Sequence, residues 1–124
     1  MAAPDIVNVT SILGKTAYDT DIATSASAIL TNAASSNKVL KVNSLIIANI
    51  DGSDSADITA TLCDASGTVL SSLASTISVP GDSTLVVISK DTSIYLEEDR
   101  AIFLTASAAG DLSGTISYEE LDDA

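Results

Sequence analysis

The chain has 124 residues and a mass of 12.5 kDa, with 17 acidic side chains against 5 basic ones, no histidine and a single cysteine. A formal charge of −12 excludes a phosphate-tracking role, because nucleic-acid binding needs clustered Lys and Arg to displace counterions. Without histidine the commonest general base and the commonest zinc ligand are missing, and with Cys63 alone no intramolecular disulfide can form.

The length suits one domain, 1–124, and the apolar fraction of 46% is rich in alanine but poor in aromatics, so the core must be built from Ile, Leu and Val. Such acidity ordinarily serves solubility. The opening Met1-Ala2-Ala3-Pro4-Asp5 lacks the charged n-region and apolar stretch of a signal peptide, and no run approaches the roughly eighteen apolar residues of a membrane span. The expectation is a chain made and folded in a cytoplasm, with no membrane partner.

Taken in order, residues 1–10 start polar and then alternate, with Ile6, Asn8 and Thr10 on one side and Val7 and Val9 on the other, as in an edge strand or an arm. Gly14-Lys15 punctuates. Between Thr16 and Thr31 the residues Ile22, Thr24, Ala26, Ala28 and Leu30 recur at period two, which predicts a strand, and Asn32 to Asn37 reads as a loop of small polar residues. Lys38 to Ile50 is the longest strand signal: Leu40, Val42, Ile46, Ala48 and Ile50 share one parity, while the other turns apolar midway, as a central strand does. Asp51-Gly52 is expected to open a hairpin that returns through Ile58, Ala60 and Leu62.

Asp64-Ala65-Ser66-Gly67 forms a further tight turn, and Val69, Leu73, Ile77 and Val79 share a parity in the strand beyond it. Val79-Pro80-Gly81-Asp82 has the residue order of a type II turn, with glycine at the position that wants a positive φ. Leu85 to Ile88 is a continuous β-branched run suited to a strand covered on both faces. Lys90 to Ser93 breaks it, Ile94 and Leu96 share one face of the next segment, and Glu97-Glu98-Asp99-Arg100 reads as a solvated corner. Ile102, Leu104 and Ala106 then alternate with Phe103, Thr105 and Ser107. After the turn at Ala109-Gly110-Asp111, Gly114 to Glu120 makes the last strand, and 121–124 reads as a frayed acidic tail. About eight short strands separated by turns, with no credible helix, predict an all-β chain: a single antiparallel β-sandwich, jelly-roll or immunoglobulin-like.

Chemistry is sparse. Glu97-Glu98 and Glu119-Glu120 are neighbours on extended chain, so each pair points to opposite faces and cannot converge on one substrate atom. Asp51, Asp54 and Asp57 could collect oxygen ligands for calcium, but their spacing departs from an EF-hand loop, and Asp, Gly and Ser are also what hairpin turns prefer. The six glycines fall in or beside turns and form no phosphate-cradling pattern, so no nucleotide or other cofactor is expected. Tyr18, Tyr95 and Tyr118 are too few for a stacking platform and read as core or interface anchors. Cys63 reads as a small strand side chain. No catalytic group can be nominated, and the chain is expected not to be an enzyme.

Three phrases, KVLKVNSLIIANIDGSDSADIT (Lys38 to Thr59), ISVPGDSTLVVISKDTSIYLEEDRAIFLTASA (Ile77 to Ala108) and ISYEEL (Ile116 to Leu121), with the opening IVNVTSILGKT, resemble small virion structural proteins of tailed bacteriophages, especially marine and cyanobacterial ones. The resemblance spans nearly the whole chain, in phrases of strands and turns. It implies an outer capsid decoration, or cement, protein whose partner is the major capsid protein and whose place is the virion surface. An N-terminal arm carrying Ile6, Val7 and Val9 would then contact the shell. Tail or neck components are the alternative, followed by a host-surface-binding module, which would need a groove with exposed aromatics. The apolar excess would also fit a homo-oligomer, for instance a trimer.

Overall fold

The computed structural model describes residues 8–122. Nine strands follow in order: β1 (Ser11–Asp19), β2 (Ser27–Asn32), β3 (Lys38–Asn49), β4 (Ala56–Asp64), β5 (Val69–Val79), β6 (Thr84–Ile88), β7 (Ile94–Leu96), β8 (Arg100–Ala106) and β9 (Leu112–Asp122), with one 3-10 turn at Lys90–Thr92. They form two antiparallel sheets. One runs β1-β9-β3-β6, with β7 also pairing to β3, and the other runs β2-β8-β4-β5. β1 and β2 lie in opposite sheets, whereas the first two strands of an immunoglobulin domain share one, so of the two expected sandwiches this is the jelly roll.

The core between the sheets is aliphatic, as the composition required. Leu45, Ile47, Ile58, Leu96, Ile102, Leu104, Leu112 and Ile116 are fully buried, and the period-two reading of Ile102, Leu104 and Ala106 holds. Β-branched and leucine side chains on alternating positions of two facing sheets supply the interdigitation that such a core needs.

Several local expectations need correction. β1 runs straight through Gly14-Lys15, because nine consecutive pairs with β9 hold it. The single strand expected over 16–31 is two: the chain leaves one sheet after Asp19 and enters the other at Ser27, and Ile22 is buried from the connection rather than from a strand. Asp51-Gly52 does not close a hairpin, since β3 and β4 belong to different sheets. β4 pairs instead with β5, through the tight turn at Asp64 to Gly67, where Gly67 has φ 101°.

Gly81 is not among the residues with positive φ. Asp82 takes that role at φ 59°, and the glycine is needed because a Cβ there would lie 2.8 Å from the Asp51 carbonyl oxygen. β6 is not covered on both faces, and Val86 is 56% exposed at the sheet edge. The solvated corner is only partly solvated: Glu98 is buried and its Oε2 accepts a hydrogen bond from the Asn37 N–H at 2.7 Å. The tail is not frayed at Leu121 and Asp122, which end β9; Leu121 is buried and pairs with both Ile12 and Val39.

Candidate functional site

Three surface features are built by the strand order. The first is β1, an edge strand. The other edges are interrupted: β5 shifts register three times against β4 and carries Thr76 at φ 48°, β2 shifts once against β8, and β6 is five residues long and stops at the 3-10 turn. β1 alone has an unbroken nine-pair register, and its Ile12, Leu13 and Tyr18 are 57%, 47% and 73% exposed. Its one cation is already engaged, since Lys15 Nζ lies 3.2 Å from Glu120 Oε2, which Lys38 Nζ also approaches at 3.6 Å. Proteins blunt edge strands with bulges, prolines and charged side chains, and β1 has no bulge or proline and one lysine, which is paired with Glu120.

The second feature is the outward face of the β1-β9-β3-β6 sheet. Residues paired across antiparallel strands share a face, so the registers define rows. Tyr18, Thr115, Ile46 and Val86 form one row, and Gly14, Glu119, Lys41 and Tyr95 form another. The remaining open positions on this face are Ser, Thr and Ala, except for Ile12 at its upper end, where Val39 and Leu121 beside it are already buried. Lys41 and Glu119, directly opposite each other, are the only charged side chains at its strand positions. Between the two rows β3 bulges: Val42 pairs with Tyr118 and Ser44 with Ser117, leaving Asn43 as the extra residue. Asn43 Nδ2 donates to Glu119 Oε2 at 3.1 Å, and its Oδ1 is buried without a partner.

The third is the end of the sandwich formed by the four connections β1–β2, β3–β4, β5–β6 and β8–β9. Asp19, Asp21, Asp51, Asp54, Asp57, Asp82 and Asp111 lie there without a single Lys or Arg, and all five basic residues lie in the other half. The connections are stitched together. Ile50 N–H donates to the Asp111 carbonyl at 2.7 Å, Asp82 N–H to the Asp51 carbonyl at 3.1 Å, and Gly110 N–H to Asp21 Oδ1 at 2.8 Å. The Asp51 carboxylate accepts from the Ser53 and Asp54 N–H groups and the Ser53 hydroxyl, which hold it below the usual carboxylate range. Asp111 is pushed up, first by partial loss of water around it and then by the Asp51 charge.

Of the calcium candidates, Asp51 and Asp54 crowd Asp111, while Asp57, at the same end, is already in β4 with its N–H bonded to Ser107 Oγ at 2.8 Å. Asp51 Oδ1 is engaged by its own turn, and among the described residues no group of three or more His, Cys, Asp or Glu side chains could hold a metal ion. Of the arm residues, Val9 is partly buried, just before Thr10, whose N–H donates to the Asp122 carbonyl at 2.7 Å; Ile6 and Val7 lie outside the described residues. Tyr18 and Tyr95 are outward anchors, whereas Tyr118 packs against the core. Ile46 and Val86 escaped the sequence reading because the bulge at Asn43 exchanges the faces of β3 halfway along. Cys63 is buried, its Sγ 3.2 Å from Thr61 Oγ1. Among the described residues no helix is long and apolar enough to cross a membrane.

No protein-family model matches the chain, and no curated protein matches it by sequence. Among solved structures it is similar to Bacillus endospore appendages, described as a novel family of disulfide-linked pili. The TM-score is 0.52 at 14% identity, over 92% of this chain and 90% of that one. At that identity the likeness extends to the fold alone.

Proposed function

We propose that the chain is a bacteriophage virion structural protein, an outer capsid decoration protein that binds the major capsid protein through β1 and the residues leading into it. One observation carries this reading: β1 is an edge strand with an unbroken register and exposed Ile12, Leu13 and Tyr18, and in sequence it closely follows the segment with Ile6, Val7 and Val9. An open edge adds a strand to a partner by main-chain hydrogen bonding, with alternate side chains supplying specificity. Weak contacts of this kind, repeated over a lattice, sum to large avidity. The acidic loop end suits the outside of a shell rather than its DNA-filled interior. The reading assigns no catalytic group and no cofactor.

The experiment is co-sedimentation with expanded capsids. Deleting Met1 to Val9 is expected to abolish binding while the far-ultraviolet spectrum stays that of the intact β domain, and Leu13→Lys, on the exposed edge, is expected to weaken it at least about tenfold. Undiminished binding by both variants rejects the assignment. Gel densitometry against the major capsid protein separates this reading from a tail or neck component, which would be present in few copies rather than hundreds.

The pilus likeness suggests a second assembly mode. A disulfide link of that kind has only Cys63 to use in this chain, and Cys63 is buried. The fold is shared, and the linkage is not supported.

A further inference from the structure

We infer that the outward face of the β1-β9-β3-β6 sheet is a self-association surface that pairs two copies of this chain face to face with their strands antiparallel. The inference is independent of the capsid reading, since its test uses the isolated chain.

Composition is the first argument. Ile12, Tyr18, Ile46, Val86 and Tyr95 all project from this one face, half of the ten exposed large apolar side chains among the described residues. The chain carries −12 overall, yet the strand positions of this face hold one cation and one anion, Lys41 and Glu119. Depletion of charge around aromatic and branched side chains is the signature of an interface core. Tyr is well suited to it, offering a large rigid contact area and a polar tip.

Size is the second. Strands of 9, 11 and 12 residues and a fourth lane of 5 and 3, about 4.8 Å apart at about 3.3 Å per residue, present about 630 Å². Specific interfaces bury about 600 to 1,000 Å² per partner, so the whole face is needed and reaches the lower end of that range.

Charge placement fixes the orientation of such a pair. Two bodies of −12 repel, so they meet best where net charge is absent and with the two ends that lack any basic residue kept apart. A two-fold axis lying in the interface and running across the strands does both. It lays the seven-carboxylate end of each copy beside the half of its partner in which all five basic residues offset part of the charge of Asp64, Asp91, Glu97, Glu98, Asp99, Glu119, Glu120 and Asp122. It also leaves both β1 edges on the same side of the pair, with the two chain starts at opposite ends. The alternative axis, along the strands, brings the two acidic ends side by side.

The test is light-scattering mass of the full chain from about 1 to about 300 μM, a range that spans ordinary dimer affinities. The expected result is a rise from 12.5 kDa towards twice that value. Ile46→Asp is expected to weaken the pairing at least about tenfold with an unchanged circular dichroism spectrum, and Leu70→Asp, more exposed but on the other sheet, to leave it intact. Added salt is expected to tighten the pairing by screening the residual repulsion. A spin label at Ser53→Cys, in the acidic end, is expected to give an inter-label distance above about 30 Å, one strand length, whereas the strands-parallel pairing would give less than about 20 Å. A monomer throughout, a trimer, a dimer untouched by Ile46→Asp, or the short label distance would each overturn the inference.

Discussion

Asn49, the last residue of β3, donates from Nδ2 to the carbonyl of Val79, the last residue of β5, at 2.8 Å, and so ties one sheet to the other through a buried amide. The same Nδ2 donates to the Asp54 carbonyl at 2.9 Å, and Oδ1 accepts from the Asp51 N–H at 2.8 Å. Asn32 mirrors it at the opposite end, where Nδ2 reaches from β2 to the carbonyls of Lys38 and Leu96 in the facing sheet, at 2.9 Å each. An amide is the side chain that can do this, because it donates twice and accepts at one end without charge.

Replacing Asn49 by Ala removes the partner of the buried Val79 carbonyl and of the Asp54 carbonyl and Asp51 N–H nearer the surface. The expected loss is about 2–4 kcal/mol in urea unfolding, and Asn49→Asp is expected to cost as much, because a carboxylate cannot donate to carbonyls. A loss below about 0.5 kcal/mol for both would mean that the strap contributes nothing beyond packing.

Asn43 is the extra residue of the β3 bulge, and it sets which side chains of β3 enter the core: Leu40 and Val42 before it, Leu45 and Ile47 after it. Deleting Asn43 puts the two halves of the strand in conflict, since one of them must turn its leucine or isoleucine side chains to solvent. The expected outcome is loss of a cooperative unfolding transition. Asn43→Ser, which keeps the residue count, is expected to retain it.

Gly81→Ala drives a methyl into the Asp51 carbonyl, which is itself held by the Asp82 N–H, so it is expected to destabilise by about 1–3 kcal/mol. Gly14→Ala is the matched control: nothing lies within 4 Å of the added carbon, and the melting temperature is expected to stay or rise slightly. Equal losses at both sites would contradict the close-approach explanation.

Two aspartates are expected to give opposite pH profiles. The Ser66 hydroxyl, and then the Thr68 N–H, hold the Asp64 carboxyl below 3.8, so its stabilisation is present above that pH and is lost as the pH falls through the folded value. Asp64→Ala should lower the melting temperature at pH 7, and the gap should close in strong acid. Asp111 is raised, so in the interval above 3.8 the folded chain holds the proton more tightly than the unfolded one, and its contribution falls away as pH rises. Asp111→Asn should raise the melting temperature at pH 7 and lose that advantage as the pH drops. Parallel profiles for the two variants would refute the assignment.

How far the sequence could be read depended on the range of the interaction involved. The alternation of Ile102, Leu104 and Ala106 and the turn from Asp64 to Gly67 were legible because they depend on neighbours a few residues away. The other parity in the second half of β3 was visible as an apolar run, but its cause, the bulge at Asn43, was not, because only the register against β9 reveals an unpaired residue. Glu98 looked like a surface acid until the Asn37 N–H, 61 residues away in sequence, came to lie on it. Ile46, Val86 and Tyr95 became a candidate surface only when the pairing of β3 with β6 and β7 set them side by side.

The amino-acid order on its own settled that this is an all-β sandwich with an aliphatic core, because strand periodicity, turn chemistry and side-chain volume are local properties. Tertiary structure alone decided that the sandwich is a jelly roll, that β1 is an edge strand among the described residues, and that one sheet face carries a single opposed pair of charges while one end carries carboxylates without a basic residue. Those outcomes depend on which distant strands share hydrogen bonds, and a strand carries no mark of its partner until the chain has closed the loop between them.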